Sequence, residues 1–194
     1  MLTQPLPLIL VFLLLFYPFV YSGVTYTAPT TAVYDDSSTQ SVGYSYSPTQ
    51  RIATFSGLNQ LSNSAVVTLQ IWLLHTWNRD LEMRLYSPSG SYIILSYRNG
   101  EEYDNVFNGT LFTDSASTKV SSYSFQNNVV APSVRPEEAF SNFRGKDPNG
   151  QWKIWINDLF SGDDGYLNRV ILTITGINSF SEIIKKKENK IECG

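Results

Sequence analysis

Cysteine is almost absent from this sequence: the single one, Cys193, sits in the tail, so no internal disulfide can form. Stability must then come from the core, aided by metal if one binds, and Cys193 is read as a free tail thiol or an intermolecular link rather than a nucleophile. Histidine is equally scarce, with His75 alone as a candidate general base. Charge is sparse as well, at 16% of residues with a net charge of -3. That balance excludes a basic nucleic-acid footprint and a strongly acidic solvating tail. Between residues 51 and 176 no convincing amphipathic helix can be traced, and no internal repeat is visible.

What is present suits one globular unit. The 194 residues are 42% hydrophobic and 14% aromatic, enough for a sizeable core. Leu8 to Val20 is an almost unbroken apolar run, and Val20 and Ser22 occupy the small-residue positions before Gly23. Residues 1–22 therefore read as a signal peptide cleaved after Ser22, which makes the remainder secreted. The leading residues Met1 to Pro7 carry no Lys or Arg, which leaves an uncleaved, membrane-held anchor as the alternative, although the run is short for a bilayer span. Asn108-Gly109-Thr110 is the one glycosylation sequon, with Asn108 beside turn-like residues.

Residues 23–50 are rich in Ser, Thr and Tyr and poor in aliphatics, and read as a mobile leader. Strands follow. Ala65 to Leu74 carries apolar residues on both faces, as a central strand would, whereas Leu81, Met83 and Leu85 alternate with Glu82, Arg84 and Tyr86 as in a half-buried one. Ser87-Pro88-Ser89-Gly90 then turns the chain into Tyr92 to Tyr97, a β-hairpin. Trp152, Ile154 and Ile156 alternate with Lys153 and Trp155, and beyond the Ser161-Gly162-Asp163-Asp164-Gly165 turn Val170, Leu172 and Ile174 do the same, predicting a second hairpin near Gly176. The expected fold is all-β, an antiparallel β-sandwich of jelly-roll type over residues 51–176, followed by a Lys-rich tail, 177–194, with a helix start at Ser179 or Ser181.

Two phrases are the most specific: His-Thr-Trp-Asn-Arg-Asp-Leu at His75 to Leu81, and Gly-Gln-Trp-Lys-Ile-Trp-Ile-Asn-Asp at Gly150 to Asp158. With Pro88, Gly90, Phe112-Thr113-Asp114, Phe143-Arg144-Gly145, Trp152, Gly165 and Leu167 in this order, the chain resembles the P domain, or P/Homo B domain, of kexin-like and furin-like subtilisin proteases. That resemblance implies a non-catalytic β-module that packs on a subtilisin-like protease domain, here separately encoded, and supports its folding. Val170 stands where similar proteins usually carry Trp, and Thr113 where they often carry a second Asp beside Asp114. Gly90, Gly150 and Gly165 suit tight turns with positive φ, and Trp152 suits a buried anchor.

Chemistry of its own is not expected of this chain. A subtilisin-like unit needs Ser, His, Asp and an oxyanion donor over far more chain, and no catalytic residue is assigned. His75, at the end of a core strand, is expected to bond loop backbone. Asp80, Asp114, Asp158, Asp163 and Asp164 fall at strand ends and turns, where carboxylates can bind calcium or cap turns through Asx bonds; both readings stand. Trp77 and Trp155 are the candidate surface contacts for protein or carbohydrate, while Trp72 and Trp152 are assigned to the core. Besides the non-catalytic module, two alternatives remain: an incomplete or divergent kexin-like serine endopeptidase, and a surface adhesin or carbohydrate-binding sandwich.

Overall fold

Residues 31–44 and 48–177 are described by the computed structural model. The signal segment, Cys193 and the tail helix starting at Ser179 or Ser181 lie outside the described residues. Ten strands form: β1 Thr31–Asp36, β2 Gln40–Gly43, β3 Thr49–Phe55, β4 Leu61–His75, β5 Leu81–Tyr86, β6 Tyr92–Tyr97, β7 Asn108–Thr113, β8 Ser133–Val134, β9 Gly150–Asp158 and β10 Asp164–Ile177. One sheet runs β1-β10-β4-β7-β8, with β2 also on β10, and the other runs β3-β9-β5-β6. Only β7 and β8 pair in parallel. The all-β sandwich expected from the pattern is what forms.

Alternation explains the layering. Val67, Leu69, Ile71 and Leu73 of β4 and Leu167, Val170, Leu172 and Ile174 of β10 point inward from one sheet. Leu81, Met83 and Leu85 of β5 and Trp152, Ile154 and Ile156 of β9 meet them from the other. Val170, in place of the family's Trp, is fully buried. Trp152 packs edge-on against Phe143 at 5.0 Å, and its indole N–H donates to the Pro148 carbonyl at 2.9 Å. Truncating such a side chain to alanine costs about 3 to 5 kcal/mol.

The β5–β6 hairpin forms as expected, with Gly90 N–H bonded to the Ser87 carbonyl at 2.9 Å. Four expectations need correction. Residues β9 and β10 do not form a hairpin: β9 pairs with β3 and β5, β10 with β1, β2 and β4, so the turn between them crosses from one sheet to the other. Alternation fixes which face is buried but not which strand is the neighbour. Part of the expected leader, β1 and β2, is also strand, zipped along β10. It is held there by Arg51, whose guanidinium reaches the Ser38 carbonyl and lies 3.6 Å from Asp36. The Ser38 hydroxyl and N–H in turn hold the Asp36 carboxyl down to about 2.

Trp72 is not in the core; it is half-buried on the outer face, with the Arg169 guanidinium 4.9 Å above its ring. Gly90 and Gly150 do have positive φ, at 82° and 110°, but Gly165 does not. Its reason is space: a Cβ there would sit 1.9 Å from the Leu74 carbonyl oxygen, because β10 crosses β4 in close register at Gly165 opposite His75.

Candidate functional site

The His75 phrase and the end of the Gly150 phrase converge. His75 closes β4 in one sheet and Asp158 closes β9 in the other, and the two side chains meet across the gap, Nε2 to Oδ2 at 3.3 Å. Both side chains are fully buried. A carboxylate oxygen accepts, so Nε2 carries the hydrogen of this bond, a tautomer assigned from the partners. Nδ1 faces the backbone of Trp77, 3.1 Å from its N–H and 2.9 Å from its carbonyl oxygen. The expected bond to loop backbone is present, and the link to Asp158 comes in addition.

Around this pair the loops are tied down. Asn78 is buried, and its amide donates to the carbonyls of His75 at 3.2 Å and Tyr103 at 2.5 Å. Asn105 accepts the His75 N–H at 3.1 Å, and the Asp80 carbonyl accepts the Leu159 N–H at 2.9 Å. Asn78 and Asn105 were not singled out from the sequence, since a lone Asn in a loop has no spacing that marks it.

As an acid–base device this arrangement lacks parts. No hydroxyl or thiol lies in hydrogen-bond reach of the His75 ring among the described residues; the neighbouring Thr76 hydroxyl donates to Asp163 at 2.9 Å. A buried ring with both nitrogens engaged can brace a fold but cannot meet a substrate.

The five acidic residues do not gather. Asp114 lies away from His75, and its two oxygens accept the N–H groups of Phe140 and Ser141, each at 2.9 Å, opening the 3-10 turn Phe140–Phe143. Thr113, in place of a second Asp, bonds Ser115. Asp158 is committed to His75 and to the Phe160 N–H at 3.2 Å. Asp163 and Asp164 line a shallow cleft of about 470 Å³ with Thr76 and Tyr44. Asp80 is buried near Asp158; burial first, then the Asp158 charge, pushes its carboxyl up, with Asp163 adding to the effect and His75 opposing it. Among the described residues no three acidic, His or Cys side chains form a group that could hold a metal. As arranged, these residues do not fit calcium, which wants six to eight converging oxygens. Turn capping accounts for Asp114 and Asp158.

The two candidate tryptophans differ in exposure. Trp155 is half-buried on the outer face of β9, and the Arg84 guanidinium lies 4.8 Å from its ring centre, occupying the face a sugar would stack on. The same guanidinium is 4.9 Å from the Tyr92 ring. Trp77 is the more open, at 38% exposed. Asn108 begins β7, half-buried, with Thr110 of its sequon inside the core. The residues quoted for the family behave as scaffold: Leu81 and Leu167 are buried, Pro88 packs against Gly150, and Gly145 follows the 3-10 turn with φ of 75°.

Comparison with known proteins agrees with this reading of the scaffold. Residues 64–174 match the proprotein convertase P-domain family. Among solved structures, the chain is similar to the serine protease of Aeromonas sobria in complex with its chaperone ORF2, at 16% identity and a TM-score of 0.44, covering 78% of this chain and 28% of that one. The same protease solved without the chaperone gives 16% and 0.43, covering 76% and 27%. The chain thus spans under a third of the length of these proteases. No curated protein matches. With more than half of the chain matched, from near the start of β4 to near the end of β10, this protein belongs to the proprotein convertase P-domain family.

Proposed function

We propose that this chain is an exported, non-catalytic P-domain module that packs on a subtilisin-like serine protease domain and supports its folded state. The observation that carries the non-catalytic part is the only histidine of the chain, His75, which is 1% exposed and held between Asp158 and the Trp77 backbone. A general base in that position has no access to a peptide bond. Export rests on the apolar run Leu8 to Val20 and the small residues before Gly23. Association rests on membership of a family whose modules accompany such proteases.

Affinity capture from the medium of producing cells, using the full chain as bait, is expected to recover a subtilisin-like protease and to show an intact mass starting at Gly23. Recovery of no such protease would sink the association. Peptide hydrolysis by the purified chain, abolished by His75→Gln, would sink the non-catalytic reading.

A further inference from the structure

The opposite end of the sandwich carries a cleft that the P-domain reading does not use. It is open, about 500 Å³ in volume, and its charged walls are the cations Lys119, Arg135 and Arg144 and the carboxylates Asp114 and Glu137, with Pro136 and Ala139 as the apolar part. It lies toward the start of β4, where the Arg144 Nε donates to the Ala65 carbonyl at 3.0 Å. Lys119 and Arg135 are cross-strand partners in a single parallel bridge, fixed on either side by the bonds Arg135 N–H to Thr118 carbonyl and Val120 N–H to Arg135 carbonyl, both 2.8 Å. Two exposed like charges set opposite each other repel, so the pairing costs stability where nothing neutralises it.

Asp114 and Glu137 in the same cleft offset part of that charge, but no ion pair does. The ion pairs among the described residues are Arg51 with Asp36, Arg84 with Glu82 and Arg169 with Asp35, and none includes these three cations. Both acids that line the cleft are held by hydrogen bonds to the surrounding chain. Asp114 accepts its two backbone N–H groups, and Glu137 accepts the Tyr97 N–H at 2.7 Å and the Asn99 amide at 2.6 Å. The cleft thus sets three cations against two carboxylates already engaged by N–H donors, a local excess of one positive charge on a chain whose net charge is -3.

We propose that this cleft binds a short acidic peptide segment of a partner protein, its carboxylates on Lys119, Arg135 and Arg144. Arginine presents paired N–H donors that match a carboxylate, and Pro136 and Ala139 give the aliphatic part of a Glu or Asp side chain an apolar wall. The two terminal stretches of this sequence match such a segment poorly. Residues 1–30 contain no Asp or Glu, and in residues 178–194 the three acids Glu182, Glu188 and Glu192 are outnumbered by four lysines. A long sulfated polymer fits less well, because the cleft offers it only three cations on a chain whose net charge is -3.

Fluorescence anisotropy with a fluorescein-labelled oligoglutamate peptide and the purified full chain tests this. Saturable binding is expected, absent with oligoglutamine and weakened by added salt. The double variant Lys119→Gln with Arg135→Gln should lose affinity by about tenfold or more at an unchanged melting temperature, whereas Lys153→Gln on the outer face of β9 should bind as the parent does. Lys119→Gln alone should give an intermediate loss. No saturable binding by the parent, equal binding by the double variant, or binding of a heparin oligosaccharide in place of oligoglutamate would each overturn the proposal. Because no protease enters the assay, failure here leaves the P-domain reading standing.

Discussion

The two ends of the sandwich differ in how they handle charge. At the His75 end, titratable groups are buried and hydrogen-bonded: His75 with Asp158, with Asp80 packed beside them. At the Ala65 end, about 33 Å away along β4 at strand spacing, Lys119, Arg135 and Arg144 are exposed and unpaired. Buried charge without a partner is penalised heavily, so the first end is bound to be structural. Exposed like charges cost little to keep, so the second end is free to serve recognition. The His75 phrase and the Asp158 end of the Gly150 phrase lie where the sheets are joined.

That contrast is most open to breakage at glycine. Gly165→Ala at the His75 end would place Cβ 1.9 Å from the Leu74 carbonyl and 2.8 Å from the His75 Cα, both backbone atoms that cannot swing away. Strands β4 and β10 must separate, at a cost on the order of 3 kcal/mol or more. Gly145→Ala at the other end meets nothing within 4 Å and pays only for its positive φ, about 1 kcal/mol. Urea denaturation of the two variants is expected to show midpoints well separated. Equal midpoints would mean that the His75 end is no more tightly built than its counterpart.

The next effect down is the link between the sheets. Asp158→Ala leaves the His75 Nε2–H buried with no acceptor and removes the cap on Phe160, and should cost about 2 to 3 kcal/mol in the urea midpoint with the slope unchanged. If it costs no more than a surface substitution, the pair does not join the sheets.

How far these features could be seen in the sequence depended on separation along the chain. The central position of β4 was legible because Val66, Trp72 and Leu74 put apolar groups on the face opposite Val67, Leu69 and Ile71. The β5–β6 hairpin was legible because its turn is local. His75 and Asp158 are 83 residues apart, and each phrase was recognisable without any sign that the two touch. Strands β1 and β2 escaped notice because they bury little, mainly Ala32 and Val42, and owe their place to pairing with β10 and to Arg51. Lys119 and Arg135 carry no mark in the sequence, since their contact depends on one bridge in an irregular segment.

At the Ala65 end, charge removal should be nearly silent for stability. Lys119→Gln with Arg135→Gln relieves a like-charge contact between exposed side chains, so a change within about 0.5 kcal/mol is expected, in the stabilising direction. Raising salt should narrow the gap to the parent, because screening relieves the same repulsion. A loss of 2 kcal/mol or so would show that these cations brace the loop and would remove the charge contrast between the ends.

The smallest effect, on the order of a degree or two in melting temperature, is expected at Asp80. Burial and the Asp158 charge raise its carboxyl above the ordinary 3.8, so the folded state holds that proton more tightly than the unfolded chain does. Its contribution to stability is therefore complete below about 3.8 and is lost as pH rises through the folded value. Asp80→Asn carries no charge to bury, so it should melt above the parent at pH 7, with the difference shrinking as pH is lowered toward about 4. The same pair of proteins tests calcium. With Asp114 remote and Asp158 committed to His75, calcium should shift both melts equally. A rise of several degrees in the parent alone would mean that Asp80, Asp158 and Asp163 regroup around the ion. The His75 end would then be a binding site as well as a brace.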